Sequence, residues 1–166
     1  GYLHQEIAWR RLSSEHMRAS TLVATGTGSG KTECFLFPVL DHCVRSKNEG
    51  EAGIKALVIY PMNALATDQA RRIAELIAKT PAFAGLRVGL YVAGASGAPG
   101  SGVMMPPTSV ITDRDTLRKN PPDILLTNYK MLDYLMLRPK DRKLWERNGP
   151  KTLRYVVVDE LHTFDG

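Results

Sequence analysis

The residues best equipped for chemistry are Lys31 and Thr32, which close the run TGTGSGKT with glycines at positions 26, 28 and 30. Glycine lets the backbone curl so that successive N–H groups face inward and form a concave anion site. A helix beginning near Lys31 adds the positive end of its dipole to that site. Lys31 then reaches β- and γ-phosphates, and the Thr32 hydroxyl suits a bound Mg²⁺. The strict phosphate-loop pattern has glycine where this chain has Thr25. Thr27, Gly28, Ser29, Gly30, Lys31 and Thr32 are the candidate phosphate-binding set. Far along the chain, the apolar run YVVV ends in Asp159 and Glu160. A carboxylate at the C-terminal edge of a parallel sheet lies where such folds bind ligands, so Asp159 is placed to hold Mg²⁺ through water. Glu160 is placed to take a proton from an attacking water. A Gly-rich turn, or an acidic pair after an apolar strand, is common alone. Together, in one βα register, they read as two halves of a nucleotide site. Gln5 offers an amide that both donates and accepts, which matches the N6 and N7 edge of adenine.

These groups need elements to hold them. Residues 21–24 suit a short buried strand feeding the glycine run, and 33–45 a helix with Phe35, Leu36, Val39, Leu40 and Cys43 inward and a kink at Pro38. Residues 55–61 form a continuous apolar strand stopped by proline. Asn63 to Lys79 reads as an amphipathic helix, 87–92 as a strand, 123–127 as another, and Tyr129 to Leu137 as a helix. Leu3, Ile7, Ala8 and Leu12 predict a further helix at the start, with those residues on its apolar face. Residues 93–109, rich in glycine and proline without periodicity, predict an exposed loop. Strand and helix alternate throughout, which predicts an α/β fold: a mostly parallel sheet with helices on both faces.

Composition narrows the partners. There is no run of eighteen apolar residues and no signal peptide, so a cytoplasmic protein is expected, with no membrane partner. The chain opens on Gly rather than Met, which suggests an excised piece. Cys34 and Cys43 have no companions that complete a zinc site, so buried free thiols are expected. A net charge of +5 permits a nucleic-acid partner without establishing one.

The segments GTGSGKT, PMNALATDQ (61–69), LLTNYKML (125–132) and VVVDELH (156–162) resemble the serial motifs of superfamily 2 helicases of DEAD/DEAH-box type. YLHQ (2–5) resembles their adenine-sensing glutamine motif. DELH, the TN pair and Trp145 are most similar to bacterial YprA/MrfA-like DNA helicases. The resemblance implies the first RecA-like (P-loop NTPase) domain, cut shortly after the Walker B motif, with a second RecA-like domain and its arginine finger lying beyond. It implies ATP and Mg²⁺ as cofactors, with Gln5 on adenine, Lys31 and Thr32 on phosphate and metal, and Asp159 and Glu160 on metal and water. It also implies that His162 couples the nucleotide to the nucleic acid. Pro61, Asn63, Thr127 and Asn128 fall where the family grips the backbone of a single strand or a duplex junction. Three other functions fit parts of the chain: an RNA helicase, a helicase fold turned interaction module, and a phosphate-loop kinase or small-molecule ATPase. The last leaves PMNALATDQ and LLTNYKML unexplained.

Overall fold

The structure is a computed structural model that describes residues 2–13, 19–24, 30–94 and 110–164. Its centre is a four-stranded, all-parallel sheet: β1 (Ala56–Tyr60), β2 (Val88–Tyr91), β3 (Ile124–Asn128) and β4 (Tyr155–Val158), in the order β2-β3-β1-β4. Ala56 pairs with Ile124 on one side and Tyr155 on the other, and Tyr60 pairs with Asn128, so the C-terminal ends of the strands share one edge. The two central strands are buried on both faces, which is why they read as unbroken apolar runs.

Alternation along the strands divides the core. Ala56, Val58 and Tyr60 of β1, with Ile124 and Leu126 of β3, face α2 (Lys31–Asn48) and α3 (Asn63–Lys79). Leu57, Ile59 and Leu125 face the other layer, where α4 (Arg114–Lys119) contributes Leu117, α5 (Tyr129–Leu137) contributes Met131 and Leu135, and a 3₁₀ segment, Pro139–Leu144, contributes Leu144. Helices therefore cover both faces, as the alternating pattern predicts. α2 runs through Pro38, which is buried, and extends to Asn48. Cys34 and Cys43 are buried free thiols, and burial pushes both above their ordinary pKa. Among the described residues no helix is long and apolar enough to cross a membrane.

Two expectations need correction. Residues 21–24 form no strand. Leu22 is 78% exposed, and a cleft of about 1070 Å³ separates the segment from β4, whose Val156 and Val158 are exposed along that edge. A strand is stabilised by its ladder, and among the described residues 21–24 have no hydrogen-bonded neighbour strand to complete one. In α1 (Leu3–Leu12) the buried residues are Gln5 and Ala8, whereas Leu3 and Ile7 are exposed. Ala8 and Leu12 of the expected face do pack inward, and polar bonds add to the docking of this helix. The Trp9 indole donates to Glu33 O at 2.9 Å, its ring meets Phe37 edge-on, and the Tyr155 hydroxyl donates to Leu12 O. The expected loop at 93–109 lies, from residue 95 on, outside the described residues.

Candidate nucleotide and nucleic-acid site

Lys31 and Thr32 are the first two residues of α2, with Gly30 as the cap at φ 76°. A side chain at Gly30 would be strained by that φ and would press on the Gln5 amide, whose nitrogen would lie 2.5 Å from the added Cβ. Thr27, Gly28 and Ser29 lie outside the described residues. Gln5 itself is buried: its Nε2 donates to Gly30 O at 3.2 Å, and its Oε1 accepts from Tyr2 N–H at 3.0 Å. The helix carrying Gln5 is thus seated on the start of the phosphate-loop helix.

Asp159 follows β4, and its N–H donates to Ile59 O at 3.1 Å, which continues the pairing with β1 past the last strand residue. Its Oδ1 accepts from the Glu160 N–H at 2.9 Å. Glu160 adopts φ 53°, left-handed and unfavourable for a residue with a Cβ. Such strain persists where the surroundings over-determine the backbone. Here the Glu160 carbonyl accepts both the N–H and the hydroxyl of Thr163. Burial raises the Asp159 carboxyl above the usual carboxylate range. The Glu160 N–H opposes the rise, the Glu160 charge adds to it, and Lys31 opposes it. The imidazole of His162, largely exposed, lies 3.4 Å from a Glu160 oxygen.

Gly30, Lys31, Thr32, Asp159 and Glu160 line one cavity of about 280 Å³. The candidate phosphate and acidic residues, distant in sequence, therefore meet. Two residues that sequence reasoning missed complete the lining: Glu33, and Arg72 of α3, joined by an ion pair of 2.5 Å. On a helical pattern both read as solvent-facing charges, so no sequence signal marks them. The oxygen donors of Thr32 and Asp159 suit a hard cation. Among the described residues no group of three or more His, Cys, Asp or Glu side chains gathers around a metal. A magnesium ion that keeps most of its water needs only one or two protein oxygens, so this donor set fits it.

The candidate nucleic-acid residues gather at the same sheet edge. The Asn63 and Asn128 side chains hydrogen-bond to each other, and Asn63 Nδ2 also donates to Ala93 O at 3.3 Å. Asn128 Oδ1 caps α5 by accepting from Met131 N–H at 2.7 Å. Thr127 is fully buried and its hydroxyl donates to Tyr91 O at 2.7 Å. The Thr127 and Asn128 side chains thus also brace the strand ends. Met62 and Tyr129 beside them are exposed.

Comparison with known proteins agrees with this arrangement. The chain is 29% identical to the helicase MrfA in a crystal structure bound to DNA and AMPPNP, with a TM-score of 0.68, covering 98% of this chain and 19% of that one. It is 29% identical to the uncharacterized ATP-dependent helicase YprA of Bacillus subtilis over 99% of this chain and 18% of YprA. It is 40% identical to the Druantia protein DruE of Escherichia coli over 53% of this chain and 5% of DruE. The chain thus spans less than a fifth of the length of each of these relatives. Its sheet and covering helices are the RecA-like helicase fold. Since the DEAD/DEAH box helicase pattern matches residues 2–166, the chain belongs to that family.

Proposed function

We propose that the chain is the ATP-binding half of an ATP-dependent nucleic-acid helicase or translocase that acts on DNA. The observation that carries this reading is the convergence of Lys31, Thr32, Asp159 and Glu160 on one cavity, beside the strand ends where Asn63 meets Asn128. Lys31 and the N-terminus of α2 hold the phosphates. Thr32, and Asp159 through water, would hold Mg²⁺, which would supply charge to neutralise the phosphates. Glu160 orients the attacking water and accepts its proton, and His162 relays the state of Glu160 towards the nucleic acid. Gln5, seated on Gly30, marks the adenine end. Asn63 and the backbone around Pro61 contact the strand, while Thr127 and Asn128 keep that edge in shape. The binding of DNA and AMPPNP by the relative MrfA supports DNA as the partner.

The cleft of this family closes against a second RecA-like domain of the same chain, which supplies the arginine that stabilises transition-state charge. The site is cytoplasmic in this reading. The test is ATP hydrolysis by the full-length protein with single-stranded DNA, single-stranded RNA or neither. Stimulation by DNA that is lost in Lys31→Ala is the expected result. Stimulation by RNA alone overturns the DNA assignment, and ATP binding without hydrolysis under any condition favours an interaction module.

A further inference from the structure

α5 buries Met131 and Leu135 and leaves Lys130, Tyr134, Leu137 and Arg138 exposed. Residues three and four apart share a helix face, so these four form one outward stripe. The Arg138 guanidinium lies over the Tyr134 ring, 3.8 Å from its centroid, and Tyr134 is still 44% exposed. A guanidinium stacked on a ring is positioned before any partner arrives, and it carries five N–H donors. The 3₁₀ segment Pro139–Leu144 continues the stripe, with Lys140, Arg142 and Lys143 exposed. Asp141, between them, is fully buried and anchors the segment: it accepts from the Tyr91 hydroxyl at 2.6 Å and from Arg118 Nη2 at 2.9 Å. From Tyr129 to Lys143, five basic side chains are exposed against one acidic side chain, Asp133.

This face is continuous with the candidate strand-gripping edge. Asn128, which bonds Asn63, also caps α5. Tyr91, which holds Asp141, is the last residue of β2, and its carbonyl accepts from Thr127. Five cations against one anion suit a polyanion, and the same face exposes apolar surface at Tyr134, Met136 and Leu137. A single strand presents phosphates and open base faces together, whereas a duplex keeps its base faces stacked on one another. We propose that a single DNA strand passing the Asn63–Asn128 edge continues along α5 to the 139–144 segment, with one base stacked on the Tyr134–Arg138 pair and phosphates on Lys140 and Lys143. The proposal rests on the DNA reading above and extends it from the strand ends to a second surface. Phosphates and base faces carry no sequence information, so this surface holds any sequence.

The test is binding of labelled oligothymidylate to the full-length protein, followed by fluorescence anisotropy at several salt concentrations, with thermal unfolding to check that each variant is folded. Tyr134→Ala should lower affinity by about 5- to 150-fold, the range for losing one base–aromatic stack. Tyr134→Phe keeps the ring face and should stay within about twofold of wild type. On a strand of abasic sites, which keeps the phosphates, Tyr134→Ala should have no effect. Lys140→Ala combined with Lys143→Ala should make the salt slope shallower by about 1.4, from about 0.7 per phosphate contact on a single strand. Lys79→Ala combined with Lys151→Ala, which removes exposed lysines at the end of α3 and ahead of β4, should leave the slope at its wild-type value. Tyr134→Ala within about twofold of wild type, an equal loss on the abasic strand, or equal slope changes in the two lysine pairs each overturns the proposal. If the wild type itself binds no single-stranded DNA, the DNA reading fails and this surface with it. If the wild type binds and the variants match it, this surface alone fails.

Discussion

The edge of the sheet opposite the cavity holds a charge cluster whose disruption should destabilise the domain without touching its chemistry. Lys55 is 2% exposed, and its Nζ donates to Asp123 Oδ1 at 2.8 Å and to Gly53 O at 3.0 Å. Asp123 Oδ2 accepts from Arg87 N–H at 2.9 Å and lies 3.4 Å from the more exposed Lys47 Nζ. These contacts fasten the starts of β1, β2 and β3 to the end of α2. At an effective dielectric of about 20, charges 2.8 Å apart attract by about 6 kcal/mol. Desolvation offsets several kcal/mol of that for each ion, so the pair adds little over an apolar replacement. Asp123→Ala instead leaves Lys55 buried with only the Gly53 carbonyl and leaves Arg87 N–H unpaired. Removing one partner of a buried pair costs about 3–5 kcal/mol, a large part of the roughly 5–15 kcal/mol that stabilises a domain. Lys55→Met should cost less, because Asp123 keeps Lys47 and the Arg87 N–H. Asp123→Ala in the Lys55→Met background should then cost well under its value alone. Urea unfolding followed by circular dichroism gives the three differences, and KM for ATP at low denaturant should be unchanged. A single-variant cost below about 1 kcal/mol, or equal costs in both backgrounds, would refute the argument that the stranded Lys55 charge causes most of the loss.

Lys31→Ala should weaken ATP binding, whereas Glu160→Gln should leave binding near wild type and lower kcat by about 10²- to 10⁴-fold, read from steady-state kinetics of the full-length protein; near wild-type turnover in Glu160→Gln would remove Glu160 from the role of base. Gln5→Ala should raise KM for ATP and reduce selectivity over GTP, and it should also lower the thermal midpoint slightly, because the bonds to Gly30 O and Tyr2 N–H are lost. Equal ATP and GTP affinity in the wild type would contradict it. His42 carries a lowered pKa, first from burial and then from the Arg154 charge, with Arg45 acting the same way and Glu51 and Asp41 opposing. The folded chain therefore refuses a proton that the unfolded chain takes up. Its stabilising effect is complete above the unfolded value of about 6.5 and is lost as pH falls through the folded value. His42→Gln should flatten that part of the unfolding profile, and an unchanged acid slope would show that His42 does not set it.

What was legible in the sequence follows from how each element is stabilised. α3 and α5 begin and end where periodicity and the residues Pro61 and Asn128 place them, because each helix is set by its own apolar stripe and local start signals. The central strands were legible because burial on both faces leaves an unbroken apolar run. α4 was not expected: it buries only Leu117, too little for a periodic signal, although Asp113 caps it by accepting from Thr116 N–H. α1 was placed correctly, with Ala8 and Leu12 inward as expected but Leu3 and Ile7 outward. Its docking rests also on Gln5, Trp9 and the Leu12 carbonyl, and a hydrophobic stripe does not announce contacts made by hydrogen bonds. The same limit applies at the site. Lys31, Thr32, Asp159 and Glu160 were readable because glycine spacing and strand-end position constrain their backbone. Arg72 and Glu33 meet only because α2 and α3 pack side by side on β1. Backbone-encoded chemistry is visible one segment at a time. Chemistry made by side chains from three separate elements becomes visible only once the sheet has brought their ends to one edge.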